Sequence, residues 1–239
     1  MPDPDPAPDP APRYVALIRH GAYHQRAQTP SALQPFPLTQ EGQAQAQACG
    51  AQVHAILSRE NWTLAPVIHS SHQLRAWQTA TAVAAVLREA GHRVAPLAET
   101  PALAERAVGA VANLTTTEIE ALLDLDPRYD PAPPGWKSDS HYRLPFQGAE
   151  SLLQAGARVA DHLTRVAEAA PARSLTLCVG HGASFRHAAC DLGLLSLGDI
   201  ARLSMHHATP LLLCYMGRGR WAHCGGAWKH RRSQETHLD

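Results

Sequence analysis

Two segments of this sequence bring a histidine to the end of an apolar run and follow it with glycine: "YVALIRHG" (residues 14–21) and "SLTLCVGHG" (174–182). Arg19 precedes the first of these histidines, His20, and Arg75 lies in a third segment, "VIHSSHQLRAWQTA", again just beyond an apolar stretch. If the three runs are neighbouring strands, then His20, His181, Arg19 and Arg75 leave the same edge of one sheet. Helix N-termini and free backbone N–H groups point to that edge as well. Two guanidiniums and two imidazoles gathered there are a poor arrangement for stability unless an anion sits among them. A phosphoryl group meets that demand. Each guanidinium offers a planar fork to non-bridging oxygens, and the group supplies charge where a phosphoryl transition state spreads it.

The rest of the chain supplies the elements that would hold these residues in place. "YVALI" (14–18), "PVIHS" (66–70) and "SLTLCVG" (174–180) read as buried strands, and "HRVAPL" (92–97), "PLLLCYM" (210–216) and "RWAHC" (220–224) as further ones. Thr39 is a good N-cap for a helix over 40–60, in which Ala44, Ala48, Ala51 and Ala55 recur at helical spacing. A second helix follows over 72–91, stopped by Gly91, and a shorter one from Thr115 to Leu125. From Ser151 to Ala169, Leu152, Val159, Leu163 and Val166 share one helical face, and "HGASFRHAACDLG" is a helix ending near Gly193. The intervening "DPRYDPAPPGW" (126–136) is too rich in proline for regular structure and reads as a surface excursion. Strands alternating with helices predict an α/β fold, a three-layer αβα sandwich around a mostly parallel sheet.

Composition narrows the function classes. With 21 Lys plus Arg against 21 Asp plus Glu, no global field favours nucleic acid or an anionic membrane, so anion binding must be local. The five cysteines are odd in number, scattered and without a Cys-x-x-Cys pair, which fits a reducing compartment. No leader-like segment and no membrane-length apolar run is visible, so a cytoplasmic protein is expected. Residues 1–12 alternate Pro with Asp or Ala and read as a disordered tail. Residues 13–228 read as one domain, and 229–239 as a loose polar tail. Most of the 15 histidines, His206, His207 and His230 among them, are expected on the surface. The pairs His20/His24 and His69/His72 lack the further ligands of a metal site, and the Gly-x-Gly of "VGHGASF" has Phe185 where a dinucleotide fingerprint needs glycine.

Taken in order, "RHG" (19–21), "PLTQEGQAQA" (37–46), "SSHQLRAWQTA" (70–80), "LAERAVG" (103–109), "GAES" (148–151) and "VGHGASFR" (179–186) resemble the histidine phosphatase superfamily, in its phosphoglycerate-mutase-like branch. The resemblance covers nearly the whole chain after residue 13. It implies that His20 attacks the phosphoryl group and becomes phosphohistidine, while Arg19, Arg75 and His181 hold its oxygens. By family position Glu105 is the general acid, with Glu150 in reserve, and no metal or other cofactor is expected. Gly21, Tyr23, Arg26, Arg106, Gly182 and Ala183 are the expected pocket residues. Two departures bear on substrate: mutases of the family usually follow the Glu-Arg pair with His-Tyr, where this chain has Ala107-Val108, and carry asparagine where it has Arg26. Tyr23 after "RHGA" resembles members that act as phosphatases. The expectation is a phosphomonoester hydrolase acting on a small phosphorylated metabolite or a phosphoprotein. The alternatives are mutase-type transfer and a non-catalytic phospho-ligand module.

Overall fold

Strand β1 (Arg13–Arg19) is the axis of the molecule. Val15, Ala16, Leu17 and Ile18 are fully buried, because the strand is covered on both faces and paired along both edges. The computed structural model describes residues 11–231. It places β1 between β4 (Ser174–Gly180), which runs parallel to it, and β6 (Pro210–Tyr215), which runs antiparallel. Beyond β4 lie β2 (Thr63–Ser71) and the short β3 (Ala98–Thr100), both parallel, and beyond β6 lies antiparallel β7 (Trp221–Gly225). The sheet order is thus β3-β2-β4-β1-β6-β7, mostly parallel as expected. A separate antiparallel pair joins β5 (Leu203–Ser204) to β8 (Lys229–His230).

Helices cover both faces. On one side α1 (Gln40–Glu60) and α2 (Leu74–Glu89) pack Cys49, Val53, Leu57, Val83 and Leu87 against Ile18, Ile68, Leu177 and Val179. On the other, α4 (Leu152–Ala169) and α5 (Gly182–Asp191) pack Val159, Leu163, Phe185 and Ala188 against Val15, Leu17 and Cys178. Alternate residues of β1 and β4 therefore feed opposite cores, and each large aliphatic side chain buried this way contributes about 1.5–3 kcal/mol. A charged residue at Val53 or Leu163 would break the corresponding layer.

Helix starts follow local chemistry. The Gly42 N–H donates to the Thr39 hydroxyl, and reciprocal capping boxes join Thr115 to Glu118 and Ser151 to Gln154. Helix α3 (Thr116–Leu125) and the proline-rich stretch after it form a satellite core with Val108, Val111, Trp136 and Leu144. A short α6 (Leu197–Arg202), not anticipated from the sequence, follows α5.

Three expectations need correction. The stretch 92–97 is not a strand: Pro96 lacks a donor, and pairing begins only at Ala98. The alanines at helical spacing in α1 mark the helix but not its buried face, since Ala44, Ala48, Ala51 and Ala55 point to solvent while Gly42, Ala46, Cys49, Val53 and Leu57 are buried. Lys229 and His230 are not loose, because they form β8. His207 is not a free surface residue, as shown below. The expected tails at 1–10 and 232–239 lie outside the described residues. Among those described, no helix is long and apolar enough to cross a membrane.

Candidate active site

Parallel pairing aligns Arg19 of β1 with Gly180 of β4, so the next residue of each chain, His20 and His181, emerges at the same sheet edge. The His20 N–H continues the ladder to the Gly180 carbonyl at 3.0 Å. The two rings lie 5.1 Å apart between centroids and tilt by 60°, with His20 2% exposed and His181 fully buried. Gly21 is required by close approach: a Cβ there would stand 2.4 Å from the Gly42 carbonyl oxygen, where α1 begins. Its N–H donates to Thr79 Oγ1, and that hydroxyl donates to the Arg75 carbonyl, tying the loop after β1 to α2.

Hydrogen bonding assigns the imidazole tautomers. His20 Nδ1 lies 2.8 Å from the Gly21 carbonyl, which only accepts, so Nδ1 carries the proton. Nε2 then keeps its lone pair, and Arg75 Nε donates to it at 3.2 Å. His181 Nδ1 accepts from Arg75 Nη2 at 3.2 Å, so its Nε2–H donates to Ser71 Oγ at 2.9 Å. Burial first, and then the positive charge of Arg75, holds both imidazoles well below their ordinary range. His20 is therefore neutral with its Nε2 lone pair facing the arginine and the second histidine, as a nucleophile requires.

Arg75 is the hub of the cluster. Besides the two rings it donates to the carbonyls of Ser31, Ala32 and Gln34, and its guanidinium stands 4.6 Å over the Tyr23 ring. Tyr23 meets His20 edge-on at 5.2 Å. Arg19 donates to the Met205 carbonyl, and the absence of a side chain at Gly182 leaves room for its guanidinium. Glu105, 7% exposed, caps the start of α5. Its Oε1 accepts from the Arg106 and Ser184 N–H groups, and Oε2 makes one long bond of 3.3 Å from the Ala183 N–H. Glu150 is committed elsewhere: Arg158 grips both of its oxygens and the Ala107 N–H adds a third bond. Burial alone would raise the Glu150 carboxyl, but these bonds outweigh it and hold the group below its usual range.

The structure thus gathers His20, His181, Arg19, Arg75, Gly21, Tyr23, Gly182, Ala183 and Glu105. Arg106 follows Glu105 and lines the adjoining cavity. Arg26 stands apart, exposed, with its guanidinium on the Asn113 carbonyl. Sequence reasoning missed Ser71 and Thr79, although both lie inside the "SSHQLRAWQTA" motif. It also missed His207, whose Nδ1 is 2.8 Å from the His20 carbonyl and whose ring is 5.7 Å from that of His20. Among the described residues no group of three or more His, Cys, Asp or Glu side chains converges as metal ligands do.

The same architecture recurs in solved structures. A mycobacterial glucosyl-3-phosphoglycerate phosphatase aligns with a TM-score of 0.65 at 20% identity, covering 88% of this chain and 96% of its own. A phosphoglycerate mutase from Bacillus anthracis aligns with a TM-score of 0.67 at 16% identity, covering 91% and 94%. At such identities these likenesses establish the fold. No curated protein sequence matches significantly. The sequence profile that does match, over residues 15–224, spans β1 to β7 and contains both strand-end histidines, so the chain belongs to the histidine phosphatase superfamily, branch 1.

Proposed function

We propose that the protein hydrolyses phosphomonoesters through a phosphohistidine formed on His20 Nε2. The observation that carries this reading is the tautomer of His20: Nδ1–H is fixed on the Gly21 carbonyl, and the Nε2 lone pair faces Arg75 and His181. In the first step Nε2 attacks phosphorus and the bond to the ester oxygen breaks. Glu105 gives that oxygen its proton, and Oε2, the less engaged of its oxygens, is the atom suited to carry it. In the second step water attacks the phosphohistidine, Glu105 takes a proton from it, and phosphate leaves with His20 regenerated. Arg19, Arg75 and His181 neutralise charge on the three equatorial oxygens throughout, with Arg75 exchanging its imidazole contacts for phosphoryl oxygens.

Hydrolysis is favoured over mutase transfer by residues that follow Glu-Arg. Val108, at a position where the mutases usually carry tyrosine, is 1% exposed and packed in the satellite core, so it offers the substrate nothing to grip. The test is phosphate release from p-nitrophenyl phosphate in the presence of chelator, with acid-quenched protein examined for phosphohistidine. The wild type is expected to turn over and to label, and His20→Ala to do neither. Turnover that disappears with chelator, or that survives in His20→Ala, would refute the proposal. Conversion of 3- to 2-phosphoglycerate outpacing phosphate release would establish the mutase alternative.

A further inference from the structure

A second cavity, of about 440 Å3, lies between β2, β4 and α4, and none of its lining residues lines the cavity beside the phosphoryl site. The sequence of β2 opens it. Pro66 has no N–H for the ladder, and pairing with β4 lapses between the pair Leu64 with Leu175 and the pair Ile68 with Leu177. Ala65, Pro66 and Val67 therefore stand opposite a single β4 residue, Thr176. The Pro66 carbonyl accepts instead from the Ala95 N–H, in the segment before β3. Across the gap, His162, Arg165, Val166 and Ala169 form one face of α4. Thr176 is 3% exposed and His162 9% exposed, and among the described residues neither Thr176 Oγ1 nor His162 Nε2 has a hydrogen-bond partner. The His162 ring meets that of His69 edge-on at 5.1 Å. Burial, with the charges of His69 and Arg165 adding to it, lowers the His162 pKa to about 4, so this imidazole is neutral.

Buried polar groups in folded proteins are nearly always hydrogen-bonded, and two orphaned atoms on the wall of one cavity call for a partner from outside the chain. A neutral imidazole nitrogen either donates or accepts, and a threonine hydroxyl does both. A hydroxyl on a ligand satisfies Thr176 and His162 in either tautomer of the imidazole. A charged group would find no counter-charge at that depth, since Arg165 is exposed. We propose that this cavity binds a small, uncharged, mostly apolar molecule through a hydroxyl directed at Thr176 Oγ1 and His162 Nε2. Its body packs on Val67, Val166 and Pro171. The volume falls within the range of about 300–1,000 Å3 usual for ligand pockets. The site stands independently of the hydrolase reading.

The test uses p-cresol and p-xylene, which differ only in a hydroxyl standing for a methyl group. Each is titrated into the full chain and followed by NMR of the methyl groups of Val67, Val166 and Thr176. p-Cresol is expected to bind about fivefold or more tightly than p-xylene, with the shifts centred on these methyls. Thr176→Val keeps the shape and removes the hydroxyl, and His162→Phe keeps a ring without its nitrogens. Each variant should unfold cooperatively in urea and lose most of the preference for p-cresol. Should either fail to fold, the wild-type comparison and the other variant decide. Equal or tighter binding of p-xylene, a preference that persists in both variants, or shifts centred on the phosphoryl site would overturn the proposal. So would the absence of saturable binding, the result for a cavity that takes up water alone.

Discussion

His187 offers a quantitative test of how burial sets proton affinity beside the cavity that adjoins the candidate site. It sits on α5, 1% exposed, with Nδ1 on the Ala183 carbonyl at 2.7 Å and Nε2 on Ser140 Oγ at 3.0 Å. Burial, reinforced by the charges of Arg186, Arg106 and Arg231, outweighs the Ala183 hydrogen bond and pulls its pKa from 6.5 to about 4. The unfolded chain binds the proton first on acidification, so stability is intact above the unfolded pKa of 6.5 and is lost as pH falls toward 4. One pH unit in this window is about 1.36 kcal/mol, so from neutrality to about pH 5 His187 alone removes ~2 kcal/mol. Urea denaturation of wild type and His187→Gln near pH 7.5 and pH 5 measures this directly. The wild type should lose about 2 kcal/mol more than the variant across the interval. Subtracting one pH from the other cancels whatever the substitution costs at neutral pH. Equal losses in the two proteins would show that this imidazole is not held neutral by the fold.

Three other outcomes are expected. Glu105→Gln should lower kcat for alkyl phosphates by about 10²–10⁴-fold. With p-nitrophenyl phosphate, whose leaving group needs no proton, it should give a burst of nitrophenolate and accumulated phosphohistidine, seen by stopped flow and acid quench. Ser71→Ala removes the acceptor that fixes the His181 tautomer and strands a buried N–H at a cost of about 1–3 kcal/mol. A roughly tenfold fall in kcat is expected, and Ser71→Thr should recover it, as steady-state kinetics would show. Gly21→Ala forces the loop after β1 away from α1, a clash that typically costs about 1–3 kcal/mol, measurable by denaturation.

The layers of the fold were legible because burial imposes different periods on strands and helices. "SLTLCVG" and "YVALI" are apolar throughout because both of their faces are covered, and Thr39, Thr115 and Ser151 announce their helices by capping chemistry. The alanines of α1 announced the helix but not its orientation, because they lie on more than one of its faces. Its orientation is set by bulkier Val53 and Leu57 and by Gly50, where a Cβ would meet Val86 at 2.7 Å. His20 and His181 were legible because each directly follows a strand, Arg19 because it ends β1, and Arg75 because it opens the helix after β2. His207 was not. It reaches His20 because Ala208 adopts φ +42° and its N–H donates to the Arg19 carbonyl, and no residue type in "SMHHATP" signals a left-handed alanine. Arg106 was legible as a pocket residue, but its seat over the ring of Trp136, at the end of the proline-rich stretch, was not.

The register of β1 with β4 has a consequence for how this site varies. Neighbouring strands lie about 4.8 Å apart in any sheet, and that spacing sets the gap between His20 and His181, whose ring centres are 5.1 Å apart. The separation of the two imidazoles is thus tied to backbone geometry more than to packing in either core. Change in this chain that leaves the ladder intact can reshape the adjoining cavity, through the loops carrying Ser31, Arg106 and Lys137, without moving the two imidazoles apart.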